Sequence, residues 1–119
     1  MKILLVDDVD SLRVMLRAVL AAEPGYEIIG EAADGASGVA AAKALRPDVV
    51  VMDLNMPVMG GLEATRQIVQ EVPGTDVVVF TSNDGEATRR ELAAAGAAAH
   101  ISKGEIVRLV DVIEGLHPA

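Results

Sequence analysis

Five short aliphatic runs recur along the chain, and each is followed by a longer stretch whose apolar residues have helical spacing. The runs, which we predict to be strands of a buried sheet, are residues 3–6, 27–30, 49–52, 77–80 and 98–102. The predicted helices cover residues 12–20, 39–45, 62–72, 86–95 and 106–116. The pattern therefore predicts five consecutive strand–helix units.

Turn-forming residues separate these units. Pro24-Gly25, Arg46-Pro47, Pro73-Gly74 and Gly96 stand where the helices should end. Strands that alternate with helices are joined by right-handed crossovers, which produce a parallel sheet covered by helices on both faces. We therefore expect an α/β fold, a doubly wound (βα)5 sheet, with residues 1–119 forming a single domain.

Composition and charge narrow the function classes. The chain has 18 Asp and Glu against 10 Lys and Arg, a formal charge of −8. The basic residues form no cluster, whereas binding to nucleic acid or to an anionic membrane needs clustered cations, so we expect neither as a direct partner. The absence of cysteine excludes disulfide scaffolds and thiol catalysis, and it fits a cytoplasmic location.

The residues that follow the predicted strands carry the candidate chemistry. In an open parallel sheet the carboxyl ends of the strands share one edge, and ligands bind outside that edge. Asp7 and Asp8 follow the first strand, Asp53 the third, Thr81 the fourth and Lys103 the fifth. The second strand contributes no such group, which suits a strand at the edge of the sheet. The topology is thus expected to gather three carboxylates, a hydroxyl and an ammonium in one cleft.

Such a cleft needs a cation. Carboxylates ~5 Å apart at an effective dielectric of about 20 repel by on the order of 3 kcal/mol per pair. Mg²⁺, which prefers oxygen ligands and leaves room for a phosphoryl oxygen, would offset that repulsion. Lys103 and Thr81 would then contact the same phosphoryl group. Each residue alone has an ordinary structural explanation, but together they favour phosphoryl transfer to a carboxylate.

Four motifs resemble those of the receiver domain of bacterial two-component response regulators. They are Leu5-Val6-Asp7-Asp8, the string from Val51 to Gly61 that includes Asp53-Leu54-Asn55-Met56-Pro57, Phe80-Thr81-Ser82, and Ile101-Ser102-Lys103. The resemblance covers nearly the whole chain. It implies a flavodoxin-like topology with strand order 2-1-3-4-5.

The resemblance also implies roles for individual residues. Asp53 would be the phosphoacceptor, and Asp7, Asp8, Asp53 and the backbone carbonyl of Asn55 would bind Mg²⁺. Thr81 and Lys103 would contact the phosphoryl group, with Ser82 as the second choice for the switch hydroxyl.

The chain departs from the family pattern at two positions. Gly104 follows the lysine where proline is common, which would give a more mobile loop. His100 stands where the family often has Tyr or Phe, so we regard it as a candidate switch residue whose ring could also respond to pH.

The resemblance further implies partners. The phosphoryl donor would be a sensor histidine kinase or a phosphotransfer protein. Phosphorylation would shift a pre-existing equilibrium at the face formed by the fourth helix, fifth strand and fifth helix. The sequence does not name the output partner or fused output domain, and it leaves a phosphorylation-dependent dimer open. Because its substrate would be itself, we do not expect a true enzyme.

Three other functions compete with this interpretation. One is a degenerate receiver that docks without accepting phosphate. Another is a haloacid dehalogenase-type phosphatase with Asp8 as nucleophile, because Asp8-Val9-Asp10-Ser11 resembles its D-x-D-x-T motif. The third is a flavodoxin-like flavin carrier, which the acids at the expected phosphate position and the 2% aromatic content disfavour.

Overall fold

A computed structural model describes residues 1–83 and 85–117 of the chain. Residue 84 and residues 118–119 of the expected 1–119 domain lie outside the described part. The strands are β1 (Lys2–Val6), β2 (Glu27–Ala32), β3 (Val49–Met52), β4 (Asp76–Thr81) and β5 (Ala99–Ser102). The helices are α1 (Asp10–Ala21), α2 (Gly35–Leu45), α3 (Gly61–Glu71), α4 (Glu86–Ala95) and α5 (Leu109–Leu116), with a 3₁₀ helix over Lys103–Arg108.

The five strands form one sheet in the order β2-β1-β3-β4-β5. Every neighbouring pair is parallel. The predicted doubly wound α/β fold and its strand order are therefore confirmed, and β2 lies at an edge as expected. At the carboxyl edge, Val6 of β1 stands beside Met52 of β3, and Thr81 of β4 beside Ser102 of β5.

Alternating strand residues feed two separate cores, as the period of a strand requires. Ile3 and Leu5 pack with α1 and α5, whereas Leu4 and Val6 pack with α2, α3 and α4. Burial on both faces explains why the strands are nearly continuous aliphatic runs. No helix in the described part of the chain is both long and apolar enough to cross a membrane.

Two helices differ from the prediction. α2 begins at Gly35 and not near Val39, because the Asp34 side chain caps it by accepting the Ser37 amide at 2.7 Å. The last helix was predicted from residue 106, but α5 begins only at Leu109. The residues before it form the 3₁₀ helix, with a non-helical backbone at Glu105.

Candidate functional site

Three carboxylates meet at the carboxyl edge of the sheet. One oxygen from each of Asp7, Asp8 and Asp53 lies within 4.8 Å of the others. Asp7 and Asp53 are 1% and 3% exposed, while Asp8 is open to solvent. Asp7 and Asp53 become neighbours because each directly follows one of the paired strands β1 and β3. The structure thus brings together the three acids that the sequence singles out.

Backbone hydrogen bonds hold the acids in place. The Asp7 amide donates to the Ala32 carbonyl at 3.0 Å, and the Asp53 amide donates to the Val6 carbonyl at 2.9 Å. The Val9 amide donates to Asp7 Oδ1 at 2.9 Å. Burial raises the pKa of the Asp7 carboxyl, the Val9 hydrogen bond opposes that rise, and the charge of Asp53 adds to it.

Lys103 supplies the positive charge of the cluster. It follows β5, two strands away from β3, yet its Nζ lies 3.2 Å from Asp53 Oδ1. The Lys103 side chain is only partly exposed, so solvent weakens this attraction less than in a surface ion pair. An ammonium therefore stands directly beside the carboxylate of Asp53.

The two hydroxyl candidates occupy different environments. Thr81 is the last residue of β4 and is fully buried, and its Oγ1 accepts the Asn83 amide at 3.0 Å. Ser82 is exposed just beyond the strand. The role of Thr81 as the switch hydroxyl, with Ser82 as the second choice, stays a prediction. His100, the other switch candidate, is half-buried on β5 beside Val79 of β4.

The loop after β3 makes a tight turn. Its residue Val58 has a φ of +69°, and the Met59 amide donates to the Pro57 carbonyl at 2.8 Å. This is a γ-turn of the rare, strained form. Asn55 is exposed in the same loop and lines a cavity of about 250 Å³ together with Asn83 and Glu91. Its carbonyl stays a predicted metal ligand.

The acids have the chemistry of a site for a hard divalent cation. Asp7 Oδ2 is buried and has no hydrogen-bond partner within residues 1–83 and 85–117. An ionised oxygen of this kind is costly to bury without compensation. Mg²⁺ prefers oxygen ligands and is often held by one or two carboxylates. Asp7, Asp8 and Asp53 could therefore hold such an ion.

Sequence reasoning missed Arg13, which contacts the loop that carries Asp7 and Asp8. Its Nη1 donates to the Asp7 carbonyl, its Nη2 pairs with Asp10, and its Nε donates to Glu31 Oε1 at 3.1 Å. The spacing of Asp10 and Arg13 on a helix gives a signal for one of these contacts. The contact with Glu31 depends on the position of β2 beside β1, and the contact with the Asp7 carbonyl depends on the rotamer of the arginine. Asp10, the second acid of the phosphatase-like motif, is exposed and pairs with Arg13.

Comparison with known proteins gives one consistent result. A family model described as the response regulator receiver domain matches residues 3–114. A protein-glutamate methylesterase/protein-glutamine glutaminase of Geobacter metallireducens is 52% identical over 85 residues, 71% of this chain and 24% of that protein. The response regulator GacA of Pseudomonas aeruginosa is 41% identical over 103 residues, 87% of this chain and 48% of that protein.

Comparison with solved structures gives the same family. The crystal structure of a LuxR-family two-component response regulator from Aurantimonas sp. SI85-9A1 superposes with a TM-score of 0.92 at 36% identity, covering 97% of this chain and 83% of that one. The chain spans less than half the length of the two curated relatives above.

Proposed function

Since this chain belongs to the response regulator receiver domain family, we propose that Asp53 accepts a phosphoryl group from a sensor histidine kinase or a phosphotransfer protein. The observation that carries the proposal is the surroundings of the Asp53 carboxylate. It is buried, has an oxygen of Asp7 and one of Asp8 within 4.8 Å, and has the Lys103 ammonium 3.2 Å away. The proposed nucleophile, the candidate cation site and a positive charge therefore lie close together.

The proposed step is an in-line displacement at phosphorus. An oxygen of Asp53 forms a bond to phosphorus while the P–N bond to the donor's imidazole breaks, and the imidazole leaves with the bonding electrons. Lys103 stabilises the negative charge on the transferred group. Mg²⁺ bound by Asp7, Asp8, Asp53 and the Asn55 carbonyl would neutralise the remaining charge and orient a phosphoryl oxygen. Hydrolysis by water restores the Asp53 carboxylate, so the domain acts on itself as a signalling domain.

Thr81 would couple phosphorylation of Asp53 to a conformational change. Its hydroxyl can rotate and donate to a phosphoryl oxygen on Asp53, while its Oγ1 now accepts the Asn83 amide. We propose that this movement shifts a pre-existing equilibrium of α4, β5 and α5, with His100 as the candidate β5 residue that follows it. A shift from 1:99 to 99:1 needs roughly 5.5 kcal/mol of differential interaction. The altered face would then engage an output partner or a fused output domain.

The test is intact-mass analysis after incubation with acetyl phosphate and Mg²⁺. We expect one phosphoryl adduct on the unaltered chain and none on Asp53→Asn. The matched control is Asp76→Asn, which removes an acid at the start of β4, the opposite edge of the sheet, and should keep the adduct. An unaltered chain that forms no adduct with any donor contradicts the proposal. An adduct that survives Asp53→Asn but is lost in Asp8→Asn would assign the nucleophile to Asp8.

A further inference from the structure

We propose that Arg13 is a positioning residue for the cation site, holding the loop between β1 and α1 so that the Asp7 and Asp8 carboxylates converge. The inference rests on the proposed function, because it assumes that these acids bind Mg²⁺. It assigns a role in Mg²⁺ binding to a residue outside the cluster of Asp7, Asp8 and Asp53.

The guanidinium of Arg13 bridges three elements. Nη1 donates to the backbone carbonyl of Asp7, where β1 has just ended. Nη2 pairs with Asp10 in the first turn of α1, and Nε donates to Glu31 on β2 at 3.1 Å. The Arg13 side chain is only 15% exposed. The planar fork of arginine has a fixed geometry, so these contacts define the position of the Asp7 peptide group.

Glu31 connects the fork to β2. One of its oxygens accepts from Arg13 and the other from Arg17. The hydrogen bond from Arg17, with the contacts of Arg13, lowers the pKa of Glu31, so this carboxylate is ionised at neutral pH. Because Glu31 belongs to β2, the contact connects the loop to the rigid sheet. Arg17 itself has no hydrogen bond to the loop among the described residues.

Charge and position predict opposite effects on Mg²⁺ binding. A cation near the site repels Mg²⁺, so an effect of charge alone means that removing Arg13 strengthens binding. The guanidinium, however, contacts the Asp7 carbonyl, and Asp10 and Glu31 offset its charge. If Arg13 positions the loop, its removal weakens binding, as loss of groups that orient metal ligands does elsewhere.

The experiment measures Mg²⁺ affinity directly, without any phosphoryl transfer. MgCl₂ is titrated into the full chain while the amide NMR signals of the loop after β1 are followed. We expect Arg13→Gln to raise the dissociation constant about tenfold. Arg13→Lys keeps the charge but loses the fork, so its affinity for Mg²⁺ should also be lower than that of the unaltered chain. Arg17→Gln, the charge-matched control, removes a cation from the same helix but leaves the contacts of Arg13 with Glu31 Oε1 and the Asp7 carbonyl in place. Its affinity for Mg²⁺ should therefore stay within about twofold of that of the unaltered chain.

The outcomes separate the two hypotheses. If the unaltered chain does not bind Mg²⁺, the proposed function fails. If Arg13→Gln binds Mg²⁺ as tightly as the unaltered chain or more tightly, or if Arg17→Gln weakens binding as much as Arg13→Gln, only the positioning role is overturned. Full affinity in Arg13→Lys would show that the loop does not need the arginine fork and would likewise overturn that role. The dispersion of the same spectra reports folding, and Arg13→Lys provides the test if Arg13→Gln does not fold.

Discussion

Gly61 approaches the backbone of Asp53 so closely that no side chain fits between them. A Cβ at position 61 would lie 1.9 Å from the Asp53 carbonyl oxygen. The Gly61 amide also donates to the Leu54 carbonyl at 2.9 Å, which closes the loop after β3. The glycine is therefore required by close packing, and it lets α3 begin directly against the residue that we propose as phosphoacceptor.

This packing predicts opposite effects of alanine at two glycines. Gly61→Ala should lower the free energy of unfolding by about 1–3 kcal/mol, because backbone atoms must move to admit the methyl group. It should also slow phosphorylation by acetyl phosphate, since Asp53 moves with them. Gly115→Ala in α5 meets no atom within 4 Å and should stabilise by about 0.5–1 kcal/mol, because alanine is the better helix former. Urea unfolding measures both changes, and an unchanged or more stable Gly61→Ala would contradict this account.

At the scale of the element, α3 buries a polar group among apolar ones. Thr65 is fully buried beside Ala64 and one turn before Ile68. Its Oγ1 has no hydrogen-bond partner within residues 1–83 and 85–117. A buried hydroxyl without a partner destabilises the fold by the cost of removing it from water. Thr75, by contrast, is buried with its Oγ1 donating to the Pro47 carbonyl at 2.6 Å.

The same substitution should therefore have opposite signs at these two positions. Thr65→Val replaces the hydroxyl by a methyl group of similar size and should stabilise by about 1–2 kcal/mol. Thr75→Val leaves the buried Pro47 carbonyl without that donor and should destabilise by about 1–2 kcal/mol. Chemical denaturation gives both values. A loss of stability in Thr65→Val would show that its hydroxyl does make a stabilising contact.

The strands and helices also show which parts of the fold could be predicted from the sequence. Strand positions followed from aliphatic runs, because both faces of this sheet are buried. The start of α2 was missed because Asp34 acts as a cap, a local hydrogen bond that apolar spacing does not report. The last helix was predicted too early because Ile106 continues the apolar spacing of α5, while the Ser102 hydroxyl accepts the Gly104 amide in a turn of its own.

At the scale of the whole molecule, topology made the candidate site predictable. Asp7, Asp53 and Lys103 are distant in sequence, and they meet because parallel strands end at one edge. The contacts of Arg13 were not predictable in the same way. The contact with Glu31 requires the register of β2 against β1, which includes an irregularity between Ile3 and Leu4. The contact with the Asp7 carbonyl requires the rotamer of a long side chain. Pattern alone specifies neither.

At the amino edge of the sheet, a hydrogen bond between residues 88 positions apart connects the segment before β2 to α5. Tyr26, just before β2, donates its hydroxyl to Glu114 Oε1 of α5 at 2.8 Å. Burial raises the pKa of Tyr26 far above its ordinary value, and the Glu114 carboxylate raises it further. The folded protein therefore keeps the phenol protonated at a pH where the unfolded chain ionises it.

This difference predicts how stability changes in alkali. The unfolded tyrosine loses its proton above about pH 10, whereas the folded one keeps it, so rising pH lowers the free energy of the unfolded state relative to that of the folded state. Near neutral pH the unaltered chain should be more stable than Tyr26→Phe by about 1.5–3 kcal/mol, the contribution of a hydrogen bond to a charged group. Above about pH 10 that advantage should fall by up to about 1.4 kcal/mol per pH unit, because the phenylalanine has no proton to lose. Urea unfolding followed by circular dichroism at neutral and alkaline pH measures the difference.

Glu114→Gln provides the control for this prediction. It keeps the phenol and its burial, which is the larger cause of the raised pKa of Tyr26, and it removes only the carboxylate charge. Its stability should therefore still fall in alkali relative to Tyr26→Phe. An advantage of the unaltered chain over Tyr26→Phe that stays constant across the alkaline range would mean that Tyr26 ionises as readily in the folded state. The Tyr26–Glu114 contact would then not hold the end of α5 against the start of β2.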